Sequence, residues 1–349
     1  MTRQADVIVI GAGAMGSATA WWLARRGRNV VLLEQFEQGH QRGSSHGGSR
    51  IFRLAYDDVR WVRRCQEALP LWREAMDVLQ VPMLEITGGI DHGNPESVQA
   101  VAHALEAAGA SFEWLAPEAA GERWPGMRFE TPVLYQADAG RCRADVALQA
   151  FAEGAGNAGA DVYFEQGVEE MTVHDDAVEV RTEYDDYVAP VAVVAAGAWV
   201  QSLVGELVQL PPLTITEEQT FHYLPKPDDR TAWPSYIHHL DVFRYGLETP
   251  DEGIKVAEHH TGAVLTDPDE RAYDTSPETE TRVNYYVEHW LPGLDPYAVT
   301  AATCLYTSTP DHEFFVERHG PLVVVSACSG HGFKFTPLIG RMAADLVMQ

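Results

Sequence analysis

Residues 6–34 constrain the fold most, because two short apolar runs flank a glycine-rich turn and a helical segment. The pattern predicts a strand over residues 6–10, a helix over 14–26 and a second strand over 29–33. Gly11, Gly13 and Gly16 form a GxGxxG motif between the first strand and the helix. Together these elements make one βαβ unit, so the chain is predicted to begin as a doubly wound α/β sheet.

The glycine motif and a following acidic residue predict a dinucleotide site. Glycines at these positions let backbone N–H groups approach a pyrophosphate at the N-terminus of the helix. Glu34 follows the second strand, eighteen residues after Gly16, where its carboxylate can accept hydrogen bonds from ribose hydroxyls. A glycine turn without a ligand is the structural alternative. The motif alone leaves both NAD and FAD open.

Two further features favour FAD. The segment 43–53, GSSHGGSRIFR, follows the acidic residue closely, where a nicotinamide enzyme more often continues through its next crossover. A late apolar strand ends near Gly330, and a helix is predicted over 338–347. Flavoproteins of the glutathione-reductase-like class return a C-terminal strand and helix to cover the flavin, with the helix N-terminus towards its polar edge.

The remaining segments predict two domains. Apolar runs at 190–200 and 320–327 are typical of buried parallel strands, whereas 221–224 and 241–247 alternate aromatic and polar residues as antiparallel strands do. Helices are predicted over 58–79, 95–108, 143–158 and 278–290, and loops over 224–229 and 266–270. The predicted fold class is α/β (α+β overall), a Rossmann-like FAD-binding domain of the glutathione-reductase-like class with an inserted, mainly antiparallel-sheet substrate domain. The FAD-binding domain is predicted over 1–82, 144–211 and 304–349, and the substrate domain over 83–143 and 212–303.

Charge and cysteine content limit the partners. The formal net charge of −26, from 51 acidic and 25 basic residues, argues against a nucleic acid, because nucleic acid is itself a polyanion. Only three lysines occur, Lys226, Lys255 and Lys334, which fits either a saline habitat or an arginine-rich coding bias. The four cysteines form no CxxC pair, so neither a disulfide scaffold nor a zinc site is predicted. The chain carries no targeting segment and no apolar run of about 18 residues, so a cytoplasmic protein that does not span a membrane is expected. No bound metal ion is expected either.

Seven segments resemble, in the same order, the family of monomeric sarcosine oxidase and N-methyltryptophan oxidase, and the similarity covers nearly the whole chain. They are GAGAMGSATAWWLARRG (11–27), GSSHGGSRIFRLAY (43–56), DAGRCRADVALQAF (138–151), VVAAGAWV (193–200), GIKVAEHH (253–260), TCLYTSTPD (303–311) and SGHGFKF (329–335). The resemblance implies a flavin-dependent amino acid oxidase that carries FAD.

The resemblance also implies roles for individual residues. Cys304 is the expected point of a thioether to the FAD methyl group, and nearby cations are expected to lower the pKa of its thiol. Lys255 is the expected oxygen-activating residue, and Arg53 and Lys334 the expected pair that binds the substrate carboxylate. The implied catalytic residues are Lys255, His259, Arg50 and Tyr245, and the implied substrate-binding residues are Arg53, Lys334, Tyr306 and Tyr245. The implied cofactor-binding residues are Gly11, Gly13, Gly16, Glu34, Ser44, His46, Arg50, Val168, Gly197, Cys304, Gly330, Gly332 and Lys334.

Simpler structural alternatives exist for the single residues. Cys304 is otherwise a buried structural cysteine, and Lys255 an exposed salt-bridging lysine. Tyr245, Tyr306 and His259 are otherwise core residues of a β-rich domain. The Met and Trp residues, including Trp199, are expected in the core.

The expected reaction is oxidation of the C–N bond of an N-methyl or other secondary, possibly cyclic, α-amino acid, with O₂ reduced to hydrogen peroxide. The expected partners are a small amino acid and O₂, and a monomer is expected. Three alternatives are a noncovalent oxidase of the glycine or D-amino acid oxidase kind, a flavin dehydrogenase with another electron acceptor, and a non-enzymatic flavin-binding scaffold. The side chain of the substrate stays open. Only fourteen residues follow Phe335, fewer than the family resemblance leads one to expect.

Overall fold

The computed structural model of the protein describes residues 2–349, except for the side chains at positions 298 and 299. In chain order its first strands are β1 (Thr2–Gln4), β2 (Val7–Ile10), β3 (Val30–Leu33), β4 (Arg50–Phe52), β5 (Leu84–Ile86), β6 (Gly89–Gly93), β7 (Glu113–Leu115), β8 (Val133–Gln136), β9 (Gly140–Cys142), β10 (Asp161–Tyr163) and β11 (Glu170–Val173). The later strands are β12 (Val178–Arg181), β13 (Asp186–Ala189), β14 (Val191–Val194), β15 (Thr214–Pro225), β16 (Ser235–His239), β17 (Arg244–Thr249), β18 (Gly253–Glu258), β19 (Ala263–Leu265), β20 (Leu294–Ser308), β21 (Phe315–His319) and β22 (Leu322–Ser326).

The helices confirm the sequence-based prediction, with every predicted end within two residues. They are α1 (Ala14–Arg25), α2 (Val59–Leu79), α3 (Pro95–Ala107), α4 (Pro117–Arg123), α5 (Ala144–Asn157), α6 (Val200–Val204), α7 (Pro277–Trp290) and α8 (Thr336–Val347); α4 and α6 were not predicted. The N-terminus of α2 shows why helix starts could be predicted from the sequence. Asp58 is the N-cap residue, and its side chain accepts a hydrogen bond from the Arg60 N–H at 2.8 Å. Buried Trp61, Cys65 and Trp72 then repeat at helical spacing along one face of α2.

A six-stranded sheet forms the first layer, in the order β10-β3-β2-β14-β22-β21. Its first five strands run parallel, and β21 pairs antiparallel with β22. Helices α1, α5 and α8 pack together against one face, and side chains of β12 and β13 pack on the other. The two strands predicted at 190–200 and 320–327 both lie in this sheet. The first ends early, at Val194, because the chain turns into the 3₁₀ segment Gly197–Trp199.

A nine-stranded sheet forms the second layer, in the order β19-β15-β18-β17-β16-β6-β8-β7, with β20 paired to β15. Its pairs are antiparallel except for the parallel pair of β16 and β6. The long strand β20 carries residue 304 within this sheet, so the predicted domain boundary between 303 and 304 falls inside a strand. Two smaller sheets, β1-β13-β12-β11 and β4-β9-β5, complete the fold.

Two loop predictions were wrong in part. The segment 224–229 begins inside β15, because this strand continues to Pro225 alongside β20. The segment 266–270 contains the 3₁₀ turn Pro268–Glu270, which a capping box starts: the Asp267 side chain accepts from the Asp269 N–H at 2.8 Å. A third 3₁₀ turn, Gly332–Phe335, leads into α8.

Candidate active site

A cavity of about 610 Å³ lies between the carboxyl ends of the parallel strands and one face of the large sheet. Ile10 at the end of β2, Ala195 after β14 and Ser326 at the end of β22 form one wall, and β15, β17, β18 and β20 form the other. The carboxyl edge of a parallel sheet is where ligands bind in open α/β folds. The volume is in the range of cofactor and ligand pockets.

The structure brings nearly all the sequence-predicted site residues to this one cavity. Those that line it are Gly11, Gly13, Glu34, Ser44, His46, Arg50, Arg53, Val168, Gly197, Tyr245, Lys255, His259, Cys304, Tyr306, Gly330, Gly332 and Lys334. Gly16 is not among the residues that line the cavity. A Cβ atom on Gly16 would stand 1.8 Å from the Gly11 carbonyl oxygen, so this glycine permits close packing of helix and turn rather than touching a ligand.

The glycine turn at the start of α1 lines one end of the cavity. Gly11 has φ +97°, and a Cβ there would stand 2.6 Å from the Ala195 carbonyl oxygen. The Ala14 N–H, in the first turn of α1, donates to Ser45 Oγ at 3.1 Å. Glu34 is buried beside this turn, where its carboxylate accepts from the N–H groups of Ala12 at 2.8 Å and Phe36 at 3.1 Å. A carboxylate and a helix N-terminus thus adjoin one end of the cavity.

His46 lies further along the cavity and has an unused polar atom. Its imidazole is buried, and Nε2 has no hydrogen-bond partner among the described residues. Burial, with a smaller effect of the Arg50 charge, lowers the pKa of His46 to about 3, so the ring is neutral. Arg50 donates to the carbonyl oxygens of Ser44 at 3.0 Å and Ser49 at 2.9 Å. The glycine cradle, the adjoining carboxylate and this orphaned nitrogen together fit an FAD molecule.

Cys304 lines the cavity from β20 and is 8% exposed. Burial raises the pKa of its thiol, and the opposing charges of Arg50 and Lys255 do not compensate. The two cations do lower this pKa, as predicted, but desolvation outweighs them, so the net shift of the Cys304 pKa is upward. Cys328 lines the cavity too, with Sγ 3.9 Å from Ser44 Oγ, although its sequence context gave no sign of it.

Lys255 projects from β18 into the cavity and is 5% exposed, which excludes the surface salt-bridge alternative. Its Nζ donates to the carbonyl oxygen of Ser49 at 3.0 Å. Burial, together with repulsion from Arg50, lowers the pKa of Lys255 to about 7, against an opposing effect of Glu252. Near neutral pH this lysine therefore changes between a charged and a neutral form.

Arg53 and Lys334 meet at the other end of the cavity. Lys334 Nζ donates to Tyr56 Oη at 2.9 Å and to the His331 carbonyl oxygen at 2.8 Å. Burial lowers the pKa of Lys334 to about 7, and Arg53 lowers it further, whereas the thiol of Cys65 acts in the opposite direction. The guanidinium of Arg53 lies over the Tyr56 ring, with Cζ 4.6 Å from the centroid. Two cationic side chains therefore face one region that an anionic ligand group can enter.

Three aromatic side chains close this end of the cavity. His259 packs edge-to-face against Tyr245 and Tyr306, with ring centroids 6.0 Å and 5.7 Å away, and its Nδ1 lies 3.4 Å from Tyr306 Oη. Burial raises the pKa of both tyrosines and holds the pKa of His259 well below its usual value. All three are neutral at physiological pH, so they offer polar contacts without adding charge.

Several residues at the site were missed by the sequence reasoning. Tyr56 contacts both Lys334 and Arg53. No role was predicted for it, although it lies within the segment 43–56 that carries the family resemblance. Asp91 lies 3.8 Å from Arg53 and accepts from His239 at 2.8 Å, and no local pattern links these distant residues. Trp199 was expected in the core but lines the cavity and donates to Asp269 at 3.1 Å. The sequence signal that could have placed Trp199 at the cavity was its position directly after the glycine-containing turn.

Neither a metal cluster nor a membrane span is found in the part of the chain that the structure describes. No group of three or more His, Cys, Asp or Glu side chains in residues 2–349 is arranged to hold a metal ion. Within the same range, no helix is both long and apolar enough to cross a membrane.

Known proteins resemble this chain over nearly its whole length. Over its whole length the chain is 33% identical to the monomeric sarcosine oxidase of Streptomyces avermitilis, of which it covers 94%. The N-methyl-L-tryptophan oxidase of Salmonella agona is 28% identical over 98% of this chain and 94% of that enzyme. The solved structure of NikD, an amino acid oxidase essential for nikkomycin biosynthesis, superimposes with a TM-score of 0.89 at 26% identity, over 99% of this chain and 94% of NikD.

The predicted fold, with its Rossmann-like FAD-binding layer, is confirmed by these matches. The family model for FAD dependent oxidoreductases, abbreviated DAO, matches residues 6–346. This span contains the glycine cradle, both lysines of the cavity and Cys304. The chain belongs to the DAO family of FAD dependent oxidoreductases.

Proposed function

We propose that the protein is an FAD-dependent oxidase of N-methyl or other secondary α-amino acids. The observation that carries this proposal is the meeting of Arg53 and Lys334 at one end of a cavity whose other end fits a dinucleotide. A planar guanidinium and an ammonium together suit a carboxylate. The names of the relatives, a sarcosine oxidase and an N-methyl-L-tryptophan oxidase, favour a methylated amine next to that carboxylate.

FAD would be held by the glycine turn, Glu34, His46 and Arg50. When bound, it accepts two electrons from the substrate amine and passes them to O₂. The substrate loses two electrons and two protons to become an imine, which water hydrolyses, and O₂ gains two electrons and two protons to give hydrogen peroxide. The chain itself supplies position and charge: Arg53 and Lys334 hold the carboxylate, and the neutral aromatic wall leaves the amine free to react uncharged.

We further propose that Cys304 forms a covalent bond to FAD. Its position on the cavity wall supports this, although a second thiol, Cys328, lines the same cavity. The test is the intact mass of the denatured protein for the Cys304→Ala and Cys328→Ala variants. An FAD adduct that disappears only in Cys304→Ala supports the bond. An adduct that persists in Cys304→Ala, or a wild-type protein without any adduct, refutes it and favours a noncovalent oxidase.

Lys255 supports O₂ as the electron acceptor. A buried lysine held by the Ser49 carbonyl places an ammonium beside the cofactor site, where it stabilises negative charge that develops as O₂ is reduced. A dehydrogenase that delivers electrons to another acceptor does not need a charge placed for O₂. Peroxide release in air, compared with reduction of an artificial acceptor, separates these two functions.

We also propose that the protein acts as a monomer in the cytoplasm. The four cysteines are free thiols, which agrees with a reducing compartment. One relative is named a monomeric sarcosine oxidase, which favours a single chain. Sedimentation equilibrium tests the monomer, and a dimer mass over the working concentration range would contradict it.

The test of the main proposal is peroxide production by the flavin-loaded protein with a panel of amino acids. N-Methylglycine, N-methyl-L-tryptophan and L-proline probe the N-methyl and cyclic classes, and glycine and D-alanine probe primary amines. Turnover confined to secondary amines supports the proposal. Turnover confined to glycine or D-alanine would favour the glycine or D-amino acid oxidase alternative.

A further inference from the structure

Tyr56 joins two segments that are distant in sequence, the turn after β4 and the turn before α8. Its hydroxyl oxygen lies 2.9 Å from Lys334 Nζ and 3.1 Å from His331 Nδ1. The guanidinium of Arg53 lies over its ring at 4.6 Å. Tyr56 is 9% exposed and lies behind the residues that line the cavity, so it contacts both cations without facing the ligand.

The direction of this hydrogen-bond chain is fixed by its last member. His331 Nε2 lies 3.1 Å from the carbonyl oxygen of His312, and a carbonyl oxygen only accepts hydrogen bonds, so Nε2 carries the proton. Burial lowers the pKa of His331 to about 3, which leaves Nδ1 as an unprotonated acceptor. The Tyr56 hydroxyl therefore donates to His331, and its oxygen lone pairs point towards the ammonium of Lys334.

The ring of Tyr56 is held as firmly as its hydroxyl. Trp61 stacks on it, with centroids 5.9 Å apart and an interplanar angle of 29°, and Phe335 packs against it at 6.4 Å. Burial also keeps the pKa of Tyr56 well above its usual value, so the hydroxyl stays neutral. A rigid neutral acceptor and a rigid aromatic face are thus presented to the two cations together.

We propose that Tyr56 is the positioning residue of the carboxylate-binding pair, fixing Lys334 through its hydroxyl and Arg53 through its ring. This inference rests on the proposed function, in which these two cations bind the substrate carboxylate. Lysine and arginine side chains are long and flexible, and a ligand that must first order them binds more weakly. Tyr56 removes that cost because it holds both groups before the ligand arrives.

The test measures binding of a carboxylate probe, acetate, to the flavin-loaded protein by isothermal titration calorimetry. Tyr56→Phe keeps the ring and removes the hydroxyl, whereas Tyr56→Leu removes both. Tyr187→Phe is the matched control, because Tyr187 donates to Gln166 at 2.9 Å in another part of the fold. His331→Phe is a second variant on the same chain, which removes the acceptor that orients the hydroxyl. Arg53→Met and Lys334→Met establish whether the two cations bind acetate at all.

The expected result is about 10-fold weaker acetate binding in Tyr56→Phe, a larger loss in Tyr56→Leu and a smaller loss in His331→Phe. In turnover, KM for the N-methyl amino acid that the wild type oxidises best should rise about 10-fold in Tyr56→Phe, while kcat stays within about twofold. Tyr187→Phe should match the wild type in both assays.

Two different failures are distinguishable. Acetate affinity within twofold of wild type in Tyr56→Phe, Tyr56→Leu and His331→Phe, together with clear losses in Arg53→Met and Lys334→Met, would overturn the positioning role and leave the proposed function intact. Unchanged acetate binding in Arg53→Met and Lys334→Met would overturn the carboxylate assignment, and the role of Tyr56 with it. A fall in kcat with KM unchanged in Tyr56→Phe would overturn the positioning role and mark Tyr56 as merely structural.

Discussion

Arg50 and Lys255 donate hydrogen bonds to one acceptor, the carbonyl oxygen of Ser49, at 2.9 Å and 3.0 Å. The shared acceptor holds two cationic side chains side by side in a buried site. Their mutual repulsion adds to desolvation, which explains why the pKa of Lys255 falls to about 7. The wall of the cavity therefore concentrates positive charge where negative charge is expected to develop during oxidation.

Replacing Lys255 by Met should slow the reaction of the reduced enzyme with O₂ about 100-fold, while anaerobic reduction by substrate changes by less than about threefold. The reason is that the ammonium stabilises charge on O₂ but does not hold the substrate. Stopped-flow absorbance of the two half-reactions measures both rates. Lys226→Met is the matched control, because Lys226 is exposed and donates to the Pro292 carbonyl oxygen. Equal slowing of both half-reactions would contradict the assignment.

The affinity for carboxylates should fall as the pH rises past about 7, because Lys334 then loses its proton. A bound carboxylate stabilises the ammonium, so binding above this pH takes up a proton and weakens by at most about 10-fold per pH unit. Calorimetry with acetate at about pH 6 and pH 9 measures the change. In Lys334→Arg the charge at this position persists, and the affinity should depend much less on pH over this range, with only the smaller effect of Lys255 remaining. A wild-type affinity that is equally flat would refute the role of Lys334.

The flavin-free protein should gain stability as the pH rises from about 7 to about 9. The folded-state pKa values of Lys255 and Lys334 are both about 7 and their ordinary value is 10.5, so the unfolded chain binds more protons in this range. Stability therefore increases with pH here, and the cost of burying the ammonium is fully present below pH 7. Lys255→Met removes that cost and should raise the free energy of unfolding at pH 7 by at least about 1 kcal/mol, with a flatter pH profile.

Urea denaturation of the flavin-free protein at several pH values measures this effect. Lys226→Met provides the comparison, since this lysine is exposed and carries no such cost. A Lys255→Met variant that is less stable than wild type at pH 7 would show that the ammonium is stabilised rather than strained in the folded protein.

Gly16→Ala should lose flavin and destabilise the protein by about 1–3 kcal/mol. Its Cβ would stand 1.8 Å from the Gly11 carbonyl oxygen, so either α1 or the glycine turn must shift. Gly121→Ala is the control, because a Cβ at that helical position meets nothing within 4 Å. Flavin content per protein and thermal unfolding measure the two effects. Normal flavin content in Gly16→Ala would contradict the close packing of turn and helix.

The local features of the fold were predictable because their causes lie within a few residues. The glycine turn, the acidic residue after β3 and the caps of the helices are all encoded in short segments. The long strand β20 was not, because pairing with β15 determines its extent, and this pairing joins residues about eighty positions apart. Trp199 was misplaced because its surroundings come from distant parts of the chain, among them the ring of Phe36, whose centroid lies 5.4 Å away.

The pKa shifts and hydrogen bonds of the site residues were less predictable than which residues line the cavity. The cationic neighbours of Cys304 are visible in the sequence, but its degree of burial is not, and burial determines the direction of its pKa shift. Tyr56 and Lys334 are 278 positions apart, so their hydrogen bond appears only when the two turns are brought together. Most of the residues predicted for the site line the cavity, with Gly16 as an exception and Trp199 and Cys328 not foreseen, whereas their interactions required the structure.

The central claim is tested most directly by following the flavin absorbance of the purified protein through one anaerobic reduction and one reoxidation. We predict that an N-methyl amino acid bleaches the flavin without air, and that admitting O₂ restores the colour with one hydrogen peroxide released per flavin. Bleaching by no secondary amino acid, or bleaching that O₂ fails to reverse, would contradict an oxidase of this class.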